Sequence, residues 1–210
     1  MDSEKSTKQK ILEESLKLFA RKGYEGVSMR EIAAAVGIKG ASLYNHFKGK
    51  EDIFNGIFQE MVKRYDDMAQ VLCVSTEDTR EAAEEFIKMG EQQMLYLAKE
   101  MFAFFTKDEF VARFRRLLVS EQNRNQLAAQ TLKSYYFDAP TQYQAGLFRM
   151  MQQGGAFAGH DAKVMALHFY SPMYYLVCKY DLEQDYESCI LEVEEHVKWF
   201  ISLYEEREDK

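Results

Sequence analysis

Between Ser28 and Lys48 the chain is cut into two pieces, each long enough only for a short helix that must pack on its neighbours. Ser28-Met29-Arg30-Glu31 is a capping box. The Ser28 hydroxyl can accept from the backbone N–H of residue 31, and the Glu31 carboxylate can reach back to the N–H of residue 28. Ile32, Ala33 and Val36 then face inward, and Gly37 stops the helix after two turns. A second short helix begins near Gly40-Ala41. Leu43 and Phe47, four apart, form its inner face, and Lys48-Gly49-Lys50 breaks it. Upstream, Ile11, Leu12, Leu16 and Phe19 mark one buried face of a helix over about 7–22, closed by Arg21-Lys22 and Gly23. Downstream, a long helix starts near Glu51, with Glu51 and Asp52 in its first turn and Ile53, Phe54, Ile57, Phe58, Met61, Tyr65 and Met68 on its apolar face.

Two short helices joined by Gly37-Ile38-Lys39-Gly40 have the size of a helix-turn-helix. In that unit the first helix crosses the DNA backbone and the second lies in the major groove. Once Leu43 and Phe47 point inward, Ala41, Ser42, Asn45 and His46 are left outside. Small residues at the helix start allow close approach to the groove floor. Asn45 can pair with an adenine edge and Ser42 with several edges. Lys39, Tyr44, His46, Lys48 and Lys50 can reach phosphates on either side, and Gly40, at the helix start, belongs to the same DNA-binding set. Ser28, Met29 and Arg30 open another helix, whose first N–H groups suit a phosphate.

The net charge of −7 runs against a nucleic-acid partner until it is divided. Residues 1–55 hold 10 Lys/Arg and 8 Asp/Glu, for +2. The remainder holds 17 and 26, for −9. A mildly basic head on an acidic body presents the head to DNA.

The rest of the chain also reads as helical. Only two prolines, Pro140 and Pro172, interrupt it, and 47% apolar content supports a sizeable core. Ser75–Thr79 is a polar connection. Helices are expected at about 79–104, 107–118, 120–136, 140–153, 162–180 and 185–206. Gln153-Gly154-Gly155 is a stop, Asp161 an N-cap, and Pro172 the site of a kink. In the last helix Tyr186, Ile190, Val193, Val197, Phe200 and Tyr204 are spaced 4, 3, 4, 3, 4, a heptad seam. Its neighbour is apolar on two faces, with Val164, Leu167, Tyr174 and Cys178 on one and Phe169, Tyr170, Met173 and Val177 on the other. A helix apolar on two sides needs two covers, and the second is most simply another copy of the chain. The expected dimer interface is therefore Val164, Leu167, Tyr174 and Cys178 with the six seam residues. The body is also rich in aromatics and methionines, the walls of an adaptable apolar pocket. Met89, Tyr96, Phe102, Phe105, Phe114, Tyr136, Tyr143, Phe148, Phe169 and Met173 are the candidates to line it.

Catalysis has little support. HExxH, CxxC and GxSxG are absent, so no catalytic residue, cofactor or metal is expected. Glu192 and His196, four apart, read as a solvated pair, and His168 as a hydrogen-bonded interior residue. Cys73, Cys178 and Cys189 read as reduced, small apolar residues. No stretch approaches the roughly 18 apolar residues of a membrane span, and the first residues lack a signal-peptide core. The sequence thus points to the cytoplasm.

Residues 8–55 resemble the DNA-binding domain of the tetracycline-repressor (TetR) family. The likeness rests on Ile11-Leu12, Leu18-Phe19-Ala20, the run from Gly23 to Ala33, and above all Val36-Gly37-Ile38-Lys39-Gly40-Ala41-Ser42-Leu43-Tyr44-Asn45-His46-Phe47-Lys48-Gly49-Lys50-Glu51. The resemblance implies an all-α protein, with a helix-turn-helix domain over 1–52 (the motif at about 28–48) and a helical effector-binding and dimerisation domain over 53–210. It implies phosphate contacts from Tyr44, His46, Lys48 and Lys50, and base preference set between Lys39 and Asn45. It also implies a homodimer on a palindromic double-stranded operator, released by a small, largely hydrophobic effector, with repression the usual mode. The competing classes are a helical binding protein that has lost DNA recognition and a small-molecule enzyme.

Overall fold

The computed structural model describes residues 6–71 and 80–204, and these are helical without strands. The helices are α1 Thr7–Lys22, α2 Met29–Val36, α3 Gly40–Tyr44, α4 Lys50–Val71, α5 Arg80–Lys107, α6 Glu109–Glu121, α7 Gln126–Lys133, α8 Ala139–Gln153, α9 Ala162–Glu183 and α10 Tyr186–Tyr204. Cys73 and the connection expected at Ser75–Thr79 lie outside the described residues, as does the side chain of Met89.

Two compact units divide the chain. The first is Met1–Met68 with Glu109–Leu132; the second is Ala69–Asp108 with Lys133–Lys210. The break expected between residues 52 and 53 instead falls inside α4. The reason is burial: Ile53, Phe54, Ile57 and Met61 are part of the first unit's core. α6 joins them from far along the chain and packs on α1. Its Phe114 ring meets Phe58 at 6.4 Å.

In the second unit α8 lies along α9, and α10 packs on α9 and α5. Phe148 stacks on Phe200 at 5.2 Å and meets Phe169 edge-on at 5.9 Å. Such geometry adds to simple area burial. Two breaks in helical geometry were not legible in the pattern. Gly90, inside α5, has φ 62° and ψ −161°, a region open essentially to glycine alone. Ser134–Asp138 forms a π-helical turn between α7 and α8. There the buried Tyr170 hydroxyl donates to the Tyr136 carbonyl at 2.8 Å. α9 begins at Asp161, which accepts from the N–H groups of Lys163 and Val164, and continues past Pro172 to Glu183.

Candidate nucleic-acid interface

The first unit builds its outer face from local signals. Both halves of the expected capping box are present. Glu31 N–H donates to the Ser28 hydroxyl at 3.3 Å, and Ser28 N–H donates to the Glu31 carboxylate at 2.8 Å. Lys22, in the last turn of α1, donates to the other Glu31 oxygen at 2.7 Å. That bond first, then those from Ser28, lower the Glu31 pKa to about 2. One exposed carboxylate thereby fixes the end of α1 to the start of α2. Gly37 takes the left-handed conformation, φ 77° and ψ 30°. Its N–H donates to Ala34 O, and that of Ile38 to Ala33 O, a paired C-terminal closure that sets the direction into α3.

α3 is shorter than the spacing suggests. It ends at Tyr44, and Asn45 is its C-cap. Phe47 lies beyond the helix, although its N–H still donates to Leu43 O at 3.0 Å. The inner pair is nonetheless as expected, with Leu43 0% and Phe47 3% exposed. Phe47 fits against α4 because position 56 is glycine. A Cβ there would stand 3.0 Å from Phe47 Cε1 and 2.9 Å from Leu12 Cδ2. The Lys48 N–H donates to Asp52 at 2.8 Å, which closes the turn into α4.

With that packing in place, Lys39, Gly40, Ala41, Tyr44, Asn45, His46 and Lys48 are exposed together, and Ser42 is half-buried. Ser28 and Arg30 are exposed at the start of α2, and Met29 is half-buried. Lys50 departs from the expected set. Its ammonium donates to the Tyr24 carbonyl at 2.9 Å, lies 4.5 Å from the centre of the Tyr24 ring, and sits 3.6 Å from the Glu25 carboxylate. These three attractions hold it inside the domain, so it braces the α1–α2 turn. The pattern around residues 8–55 also misses Glu121 of α6, which is 8% exposed. Its carboxylate accepts from the Tyr24 N–H at 3.2 Å, across 97 residues of chain. No local signal could have found it.

The candidate pocket residues differ in unit and in burial. Phe114 belongs to the first unit. Tyr96 and Tyr143 leave 48% and 42% of their surface open. Burial nonetheless pushes the Tyr143 hydroxyl up to about 12. Phe102, Phe105, Tyr136, Phe148, Phe169 and Met173 are buried in the second unit. Phe102 meets Tyr180 and Tyr186; Phe105 meets Tyr136; Phe148 meets Phe169 and Phe200.

The seam expected between copies needs correction. Val193, Val197, Phe200 and Tyr204 are at most 6% exposed within the single chain. Tyr186 packs on Phe102 and lies beneath the Lys107 ammonium, and Ile190 is half-buried. The heptad spacing records packing of α10 on its own α9 and α5. On α9, Tyr174 is held among Tyr136, Phe137 and Tyr170, and Cys178 is half-buried. Val164 and Leu167 do face out. They continue into a stripe with Tyr175 and Leu182, and α10 adds Leu191, Trp199 and Leu203.

Two histidines of this unit, His168 and His196, are bonded inside it. His196 is paired with the Phe169 carbonyl at 2.8 Å, and desolvation pushes its pKa down. Glu192 accepts from Lys179, so the two do not form the solvated pair their spacing suggests. His168 is hydrogen-bonded to the Tyr204 hydroxyl. Among the described residues, no group of three or more His, Cys, Asp or Glu could hold a metal, and no helix is long and apolar enough to cross a membrane.

A capped pair of short helices with an inner Leu/Phe anchor, on an all-helical body, defines a helix-turn-helix DNA-binding protein. Residues 11–57 match the family model of bacterial regulatory proteins, tetR family. The chain is 24% identical over 204 residues to YttP of Bacillus subtilis (strain 168), covering 95% of this chain and 88% of that protein. It is 37% identical over 68 residues to IcaR of Staphylococcus epidermidis, the HTH-type negative transcriptional regulator of the biofilm operon icaADBC. That second match spans only 29% of this chain and 37% of IcaR. Among solved structures, the TetR family transcriptional regulator PfmR of Thermus thermophilus superposes with a TM-score of 0.63 at 19% identity, over 91% of this chain and 97% of PfmR. The SmeT–triclosan complex gives a TM-score of 0.70 at 14% identity, over 97% of this chain and 94% of that one. Residues 11–57 thus match the DNA-binding domain of the TetR family, and the chain as a whole shares the fold of TetR-family regulators.

Proposed function

We propose that the chain is a repressor that binds a palindromic operator as a homodimer and lets go when a small apolar effector occupies its second unit. The observation that carries the reading is the joint exposure of Lys39, Gly40, Ala41, Tyr44, Asn45, His46 and Lys48 on a pair of helices locked from inside by Leu43 and Phe47. Gly40, Ala41 and Ser42 open α3, where base edges are read. Asn45, at the other end, reaches one further edge. Tyr44, His46 and Lys48 bind phosphates, as do Ser28, Met29 and Arg30 at the start of α2. Lys50 positions the turn and leaves the phosphate list. A DNA target places the protein in the cytoplasm.

Repression is favoured by the likeness of the head to IcaR, a negative regulator. A second copy is favoured by the outward stripe of Val164, Leu167, Tyr175 and Leu182 on α9 with Leu191, Trp199 and Leu203 on α10. Seven large apolar side chains on two adjacent helices are more than scattered surface residues. A small-molecule effector is favoured by the aromatic interior of the second unit and by the fold shared with SmeT, solved with triclosan. The effector acts by binding the DNA-incompetent state better than the competent one, a coupling of about 1–3 kcal/mol.

Selection from random DNA tests the reading directly. A palindrome should be enriched, and affinity for it should fall steeply as salt rises, because phosphate contacts release counterions. Lys48→Ala should weaken binding to all sequences alike, whereas Asn45→Ala should relax preference at one position. No enriched sequence, together with binding flat in salt, would leave the chain as a helical binding protein.

A further inference from the structure

Gln144 lies on α8, and its side-chain oxygen is buried without a hydrogen-bond partner. A buried acceptor left unmatched is destabilising, so native proteins rarely keep one without use. Its position says what it faces. Phe148, one turn further on the same side of α8, meets Phe169; Phe137, two turns back, meets Tyr174 at 5.2 Å. α8 and α9 therefore run antiparallel here, and the stretch of α9 from Phe169 to Tyr174 lies across from Gln144. Two polar groups of that stretch are already engaged. The Tyr170 hydroxyl donates to the Tyr136 carbonyl, and the Phe169 carbonyl is paired with His196. The buried side chains nearby include Phe148, Phe169 and Met173, each at most 9% exposed. An apolar wall with one unmatched polar atom is the usual composition of a small-molecule site.

We propose that Gln144 is the polar anchor of an effector site between α8 and α9, its amide oxygen accepting from the hydroxyl or N–H of an otherwise aromatic or apolar ligand. This rests on the reading of the second unit as effector-binding, and it names the chemistry of the effector. The adaptable side chain of Met173 lets the wall yield to a planar ring.

Three probes of one shape test it on the full chain: 1-naphthol, which donates a hydrogen bond; 1-methoxynaphthalene, which only accepts; and naphthalene, which does neither. The wild-type chain should bind 1-naphthol about tenfold tighter than either of the others, the worth of one hydrogen bond. Gln144→Leu and Gln144→Met should bring the three affinities together. Neither variant should melt below the wild type, because each removes an unmatched buried oxygen. Equal binding of the three probes by the wild type overturns the anchor, as does a naphthol preference that survives both substitutions. A fall in melting temperature in both variants also overturns it, since the amide would then be bonded in the free protein. Binding of none of the probes overturns the effector site itself, an outcome distinct from binding without preference.

Discussion

Gly56→Ala tests whether α3, the proposed recognition helix, is held from α4. Two opposed terms decide the outcome. Alanine is favoured over glycine in a helix interior by about 1 kcal/mol. Against that, the new Cβ would lie 2.9 Å from Leu12 Cδ2 and 3.0 Å from Phe47 Cε1. Both side chains are walled in by core, Leu12 at 5% and Phe47 at 3% exposed, so neither turns aside freely. Overpacking of this kind costs about 1–3 kcal/mol. The clash therefore wins or draws, with a net loss of about 1 kcal/mol. The functional effect should exceed the thermal one. Phe47 follows directly on the turn out of α3, so displacing its ring shifts the helix on which Ala41 and Ser42 are mounted. A weakened base contact predicts a roughly tenfold loss of operator affinity. Melting and DNA titration on the same sample check both numbers. Adding Phe47→Leu should recover part of the loss, because neighbouring changes couple. A Gly56→Ala protein that melts higher and binds operator as tightly as the wild type would refute the reasoning.

Ser15 sits on the inner face of α1, 0% exposed, with a hydroxyl that finds no partner. Ser15→Ala should raise the urea midpoint by an amount equivalent to about 1 kcal/mol, and a fall would mean that the hydroxyl is bonded. Glu121→Ala should speed hydrogen exchange at the Tyr24 amide about tenfold, while Glu121→Gln, which keeps an acceptor, should change it less. Unchanged exchange in the alanine variant would show that the bond at 3.2 Å holds nothing. Trp199, the chain's one tryptophan, is 74% exposed on α10. If a second copy covers it, its emission should shift to the red on dilution, and Trp199→Asp should sediment as a monomer; a variant that stays dimeric counts against that face.

The head was legible because its determinants are close in sequence. A capping box, a left-handed glycine and a buried pair four residues apart act over a turn or two, and each appears where the spacing puts it. What the local pattern does not show there is tertiary. Lys50 reads as a free cation in a basic stretch, but the Tyr24 carbonyl and ring, with the Glu25 carboxylate, come back to it from the α1–α2 turn. Glu121 belongs to the same turn and comes from α6. Gly56 did carry a local signal, since a lone glycine inside a helical pattern often marks close approach.

In the body, periodicity shows that a helix has an apolar face but not what covers it. On α10 the 4, 3, 4, 3, 4 line from Tyr186 to Tyr204 has the spacing of a seam between chains and of a seam within one. The structure buries most of it against α5 and α9, leaving Leu191, Trp199 and Leu203 outside at spacings of 8 and 4. Those three form no heptad, so a search for the regular pattern selects the wrong face. The same logic hides Gln144. In sequence it is one polar residue among several on α8, and only its buried, unmatched oxygen sets it apart. Residues that serve folding agree with the local pattern, and residues that serve binding depart from it. The places to seek this chain's specificity are therefore the departures: an apolar stripe that faces outward on α9 and α10, and an amide that faces inward with nothing to hold.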